Sequence, residues 1–141
     1  MEKNNCLFCK IVSGEIPAYK VYEDKHCLAF LDIYPAAKGH TLIIPKKHQQ
    51  DIRDADPADL ERLILLSKKL AKSYQQSLGA VGFNLKSNHG TQAQQEVPHL
   101  HFHLVPRYKD DGLNFVFPRH EANKEELGET KINITSHLTQ S

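Results

Sequence analysis

The chain has 141 residues, 40% of them hydrophobic and 25% charged, with a formal net charge of +1 and nine histidines. That length supports one domain around one real hydrophobic core, and so balanced a charge gives no electrostatic reason to expect nucleic acid or a membrane surface as partner. No run approaches the roughly 20 apolar residues of a membrane helix, and residues 1–10 lack the long apolar core of a secretory signal. Three cysteines in such a chain fit a reducing compartment rather than a disulfide framework, so the expected location is cytoplasmic.

In chain order, Cys6-Leu7-Phe8-Cys9 opens a short segment whose Lys10, Ile11 and Val12 predict a brief helix stopped by Gly14. Cys-x-x-Cys is a bidentate thiolate clip for zinc or a redox pair. No thioredoxin-like βαβ pattern follows, which weakens the redox reading, and two buried structural cysteines weigh evenly against a metal. Residues 19–23 alternate as a strand, Asp24-Lys25 turns, and residues 26–31 return as the second arm of a hairpin. Asp32 and Ile33 follow. A carboxylate there can accept from a sugar diol, or simply initiate the turn before Tyr34-Pro35. Residues 39–45 read as a third strand. His40 on it is a support for a neighbouring group or an ordinary surface histidine, and His48 beyond it is a candidate metal ligand.

Asp56 and Pro57 are a good N-cap and N1 pair for the main helix, whose stripe Leu60, Leu63, Ile64, Leu70, Ala71, Tyr74 and Leu78 ends at Gly79. Its lysines read as a solvated face. Residues 81–88 predict another strand, followed by a polar loop over 89–96, longer than the roughly two to five residues of most hairpin loops and able to bind phosphate oxygens through backbone N–H groups. After Arg107 come Phe115-Val116-Phe117 and a polar tail. There, residues 121–127 predict a helical turn or two, and Ile132, Ile134 and Leu138 are apolar residues available to pack on a second subunit.

The organising stretch is His99-Leu100-His101-Phe102-His103-Leu104-Val105. Period-two alternation predicts a strand with three imidazoles on one face and Leu100, Phe102 and Leu104 on the other, with Pro98 and Pro106-Arg107 marking its ends. Three readings compete. The histidines simply face solvent; or they share a metal, which is awkward because alternate residues lie ~6.5–7 Å apart; or the middle imidazole attacks phosphorus and forms a nucleotidyl-histidine that water cleaves. GxxxxGK[ST] is absent, as is a clustered acidic set for two metals, and this favours the metal-independent reading.

These residues resemble the signature of the histidine triad (HIT) superfamily of nucleotide hydrolases and transferases, closest to its bacterial HIT and Hint-like branch. Cys6-x-x-Cys9, residues 29–33, residues 38–48, Asn88 and Gln95-Glu96-Val97-Pro98 fall in family order around the triad. The resemblance implies an α+β fold with an antiparallel sheet of about five strands, one long helix and a short N-terminal helix. It implies a single domain over 1–141, with its core at about 6–108 and 109–141 as a C-terminal extension. It also implies a homodimer with side-by-side sheets and a purine nucleotide substrate containing AMP, either a nucleoside phosphoramidate or a dinucleoside polyphosphate such as diadenosine tetraphosphate. Carried over by position, His101 is the nucleophile, His103 contacts the phosphate, His99 orients the site or sits at a metal, and His40 supports the row. Asp32 takes the ribose hydroxyls with Ile33 against the nucleoside, and Asn88, Gln94, Gln95 and Glu96 line the phosphate loop. Family proteins usually carry glycine where Gln94 stands. Some bind structural zinc through positions matching Cys6, Cys9, His48 and His99, a closed tetrahedral set that leaves the chemistry itself without a metal. The alternative function is a nucleotide-binding regulatory dimer with little or no turnover.

Overall fold

Alternating apolar residues build one antiparallel sheet and point its two faces at two different helices. Strands β1 (Lys20–Glu23) and β2 (Cys27–Leu31) form the expected hairpin, and β3 (Thr41–Pro45), β4 (Gly82–Lys86) and β5 (Phe102–Arg107) complete a sheet of order β1-β2-β3-β5-β4. The computed structural model describes residues 5–138, so the ends of the expected 1–141 span lie outside it. The chain divides into two compact units, one ending at Asp111 and one starting at Gly112.

Helix α1 (Leu7–Val12) lies on one face of the sheet and the 21-residue α2 (Pro57–Ser77) on the other. The strand period decides who meets whom. Cys27, Ala29, Ile43 and Leu104 pack with Leu63, Leu66, Leu70 and Tyr74 of α2. Their neighbours Leu28, Phe30, Leu42 and Ile44 pack with Phe8 and Ile11 of α1. Helix α2 begins as its sequence dictates, with the Asp56 side chain accepting from the Ala58 N–H and Pro57 in the first turn. It ends at Leu78, where Gly79 takes φ +73°. Gly39 is required by a close approach. At φ +88°, a Cβ there would sit 2.6 Å from Leu78 Cδ1 and 3.2 Å from Pro106 Cγ.

Two sequence expectations shift. The ladder-paired strand does not start at His99 or stop before Pro106: β5 runs Phe102–Arg107. Upstream, the Leu100 N–H donates to the Gln49 carbonyl instead of a strand neighbour. Downstream, β3 pairs β5 only from Ile43↔Phe102 to Thr41↔Leu104, so Pro106 pairs with Phe83 of β4 on its other side and its missing N–H costs no ladder bond. In the second unit the predicted turn or two becomes a 15-residue helix, α3 (Lys124–Leu138), started by Asn123 Oδ1 accepting from the Glu125 and Glu126 N–H groups. Its Ile132, Ile134 and Leu138 are exposed. Among the described residues no helix is long and apolar enough to cross a membrane.

Candidate active site and metal centre

The histidine row sits on the α1 face, because His103 lies opposite Leu42 in the β3–β5 register and shares its side of the sheet. Each ring then has one nitrogen fixed by the main chain or by a neighbouring imidazole. His99 Nε2 lies 2.8 Å from the Pro45 carbonyl, which can only accept, so that nitrogen carries the proton and Nδ1 is bare. His101 Nδ1 lies 2.7 Å from the His99 carbonyl and donates to it, which leaves Nε2 as its lone-pair nitrogen. The Ala36 N–H donates to His40 Nδ1 at 3.0 Å, so His40 Nε2 bears hydrogen and donates to His103 Nδ1 at 2.9 Å. That leaves His103 Nε2–H as a donor. Burial depresses the pKa of His40 and His101, and holds His99 and His103 down at about 4. The row is therefore neutral at physiological pH, offering one lone pair and one N–H rather than charge.

The row serves two places. His99, fully buried, turns Nδ1 toward Cys6 Sγ at 3.3 Å, Cys9 Sγ at 3.5 Å and His48 Nδ1 at 3.2 Å, with Cys9 Sγ 3.4 Å from His48 Nδ1. All four donor atoms lie within 4.8 Å of one another. Zn–N bonds of about 2.0–2.1 Å and Zn–S bonds of about 2.3 Å in a tetrahedron put nitrogens about 3.3 Å apart and nitrogen about 3.6 Å from sulfur. The four distances given match those edges, and the bare Nδ1 of His99 facing a second imidazole is the arrangement a cation resolves. The set Cys6, Cys9, His48 and His99 thus fits a metal ion. His101 is not part of it. Asp32, His40 and His103 also converge, but the Ala36 N–H donating to His40 Nδ1 selects the tautomer whose proton sits on Nε2, the atom that a metal would need.

His101 and His103 instead open into a cleft of about 740 Å³, a size typical of small-ligand sites. Its apolar wall comes from α1 and the strands, including Leu7, Ile11, Phe30, Ile33 and Val97; its polar groups are Asp32, Lys86, Asn88, Gln94 and Glu96. Asp32 initiates the turn, its Oδ1 accepting from the Tyr34 N–H at 2.8 Å, and also lines the cleft. Gln94 occupies the left-handed region at φ +66°, the conformation that glycine adopts without strain. Gln95 is not brought to the cleft. It is buried, accepting from the Gly90 N–H and donating to the Gln50 carbonyl, so it ties the 89–96 loop down from within.

Several groups at the site carry no sequence motif. Phe8 on α1 sets its ring edge-on to both His101 (centroids 5.0 Å) and His99 (5.8 Å). Ser87 Oγ donates to the His101 carbonyl at 2.7 Å, fixing the backbone of the ring that holds the lone pair. Lys86 is paired with His103 across β4 and β5. For Ser87 and Lys86 the usable signal was alternation along 81–88 counted against the histidine strand.

Comparison with known proteins gives a consistent picture. The family model described as "HIT domain" matches residues 13–110. The adenosine 5'-monophosphoramidase of Saccharomyces cerevisiae is 39% identical over 96% of this chain and 84% of its own length. A crystal structure from Streptococcus mutans UA159 superposes with TM-score 0.89 at 42% identity, covering 96% of this chain and 86% of that one. A Zn-bound histidine triad family protein from Mycobacterium smegmatis superposes with TM-score 0.77 at 37% identity over 99% of both chains.

Proposed function

The chain belongs to the HIT domain family, and from that premise we propose that it is a nucleotide hydrolase that cleaves a nucleoside 5'-phosphate from its leaving group through His101. The observation that carries the reading is the pairing of His101, its lone pair freed by the His99 carbonyl, with His103, its N–H freed by His40, at the floor of one cleft. His101 Nε2 attacks phosphorus as the bond to the leaving group breaks, and the leaving group takes a proton from water in the open cleft. Water then attacks the same phosphorus, the P–N bond breaks to return His101 with its lone pair, and the proton that the attacking water gives up passes to solvent. His103 Nε2–H holds a phosphoryl oxygen as charge develops on it. Asp32 takes the ribose hydroxyls, Ile33 and the apolar wall take the base, and Asn88, Gln94 and Glu96 flank the phosphate path. The monophosphoramidase relative makes an AMP-containing substrate the first to test.

Zinc is the metal we assign to Cys6, Cys9, His48 and His99, where it would tie α1 to the histidine segment; no step of the reaction runs through it. A homodimer is the proposed assembly. It is supported by β4 at the sheet edge and by exposed Val81, Leu85, Ile64 and Leu65. Three free cysteines fit a cytoplasmic setting.

The test is kcat/KM for adenosine 5'-phosphoramidate with wild-type protein and His101→Ala. Loss of about 10³-fold or more with unchanged circular dichroism is expected. Turnover that survives the substitution overturns the mechanism. Nucleotide binding without His101-dependent turnover gives the site to a regulatory nucleotide-binding dimer, the reading that the side chain at Gln94 favours.

A further inference from the structure

Lys86 stands on β4 directly opposite His103 on β5. Directly opposed residues of an antiparallel pair put their side chains on the same face, with Cβ atoms about 4.5–5.5 Å apart. The lysine stem therefore starts beside the imidazole whose N–H is left over, and Lys86 lines the same cleft. Strand alternation excludes its neighbours from that role: Leu85 lies opposite Leu104, on the α2 side of the sheet. The charge inventory of the cleft makes the position matter. Among the described residues that line it, Lys86 is the one lysine or arginine, against the carboxylates of Asp32 and Glu96. The field of the lysine reaches His40 and His103, since it is among the influences lowering the pKa of both.

A phosphoryl group bearing one negative charge and an uncharged leaving group can be held by N–H donors alone. Each further phosphate in a condensed chain adds charge that hydrogen bonds from neutral groups compensate poorly and that Asp32 and Glu96 repel. We propose that Lys86 is the specificity-determining residue through which this cleft senses phosphate number, so that it favours nucleotides with a condensed phosphate chain over those with a single phosphate. This deepens the nucleotide-hydrolase reading and rests on it. Lys86 is exposed, and its flexible four-carbon stem lets one ammonium follow a chain of phosphates as a point charge.

The experiment is calorimetric titration of the full chain with adenosine, AMP, ADP and ATP, without added divalent metal, for wild type, Lys86→Met and Lys86→Arg. Wild-type affinity should climb with phosphate number. Lys86→Met should cost about tenfold on ATP, roughly the removal of one close charge contact near a protein surface, and under about twofold on adenosine. Lys86→Arg should restore most of the gradient, and added salt should flatten it in wild type. An equal loss on all four ligands, or none on any, overturns the proposal while leaving the nucleotide site standing. Binding of adenosine and AMP with no gradient in wild type does the same. Failure of wild type to bind any of the four overturns both readings. Unchanged thermal melting of the variants confirms that the comparison is between folded proteins.

Discussion

At one end of the histidine row, His99 turns a bare nitrogen toward two thiols and a second imidazole in a largely buried pocket. At the other end, His103 turns an N–H toward an open cleft. The residue type is the same, and the two lie four positions apart on one face. What separates them is the partner on the other ring nitrogen. A carbonyl strips the inner nitrogen of His99 bare, and an imidazole N–H leaves the outer nitrogen of His103 protonated. Second partners thus decide whether an imidazole presents a lone pair or an N–H.

The contrast is sharpest where the metal end is dismantled. Cys9→Ala should abolish stoichiometric zinc and lower Tm by about 10 °C, the effect of losing roughly 3 kcal/mol in a chain of this size. Metal analysis and calorimetry read both outcomes; zinc retained at full stoichiometry would sink the assignment of the cluster. A smaller effect belongs to the cleft end. His40→Ala removes the donor that sets the tautomer of His103 and should lower kcat roughly 10–100-fold with little change in KM, while zinc content stays the same. A fall in zinc content would show that the two ends are not separate. The smallest effect is expected between them, in the loop. Gln94→Gly relieves a left-handed side chain but loosens the unfolded chain, so a net stabilisation of about 0.5–1 kcal/mol or less is expected by denaturant titration.

The legible part of this molecule was the part governed by local periodicity. The hairpin with its Asp24 turn, and the α2 start at Asp56-Pro57 and stop at Gly79, follow from one stretch of chain each and appear where expected. So does the resemblance-based grouping of Cys6, Cys9, His48 and His99. What escaped depends on which strand lies beside which. The limits of β5 are set by where β3 ends, and Lys86 matters because of its register with His103. Position puts Gln95 in the 89–96 loop, and its amide bonds the Gln50 carbonyl 45 residues away, a partner no local pattern announces. Helix α3 continues beyond the predicted 121–127 to Leu138, through Gly128 and several β-branched residues whose helix propensity is poor.

Among the described residues, the hydrogen bond that joins His101 to the proposed ligand His99 uses the main-chain carbonyl of His99, a group that every amino acid supplies. Evolution can therefore treat the metal as optional. A lineage that trades both cysteines, His48 and the His99 side chain for packed apolar residues keeps the carbonyl that sets the proton on His101. Loss of the proposed ion need not carry loss of the proposed nucleophile, and the two properties are free to be inherited separately.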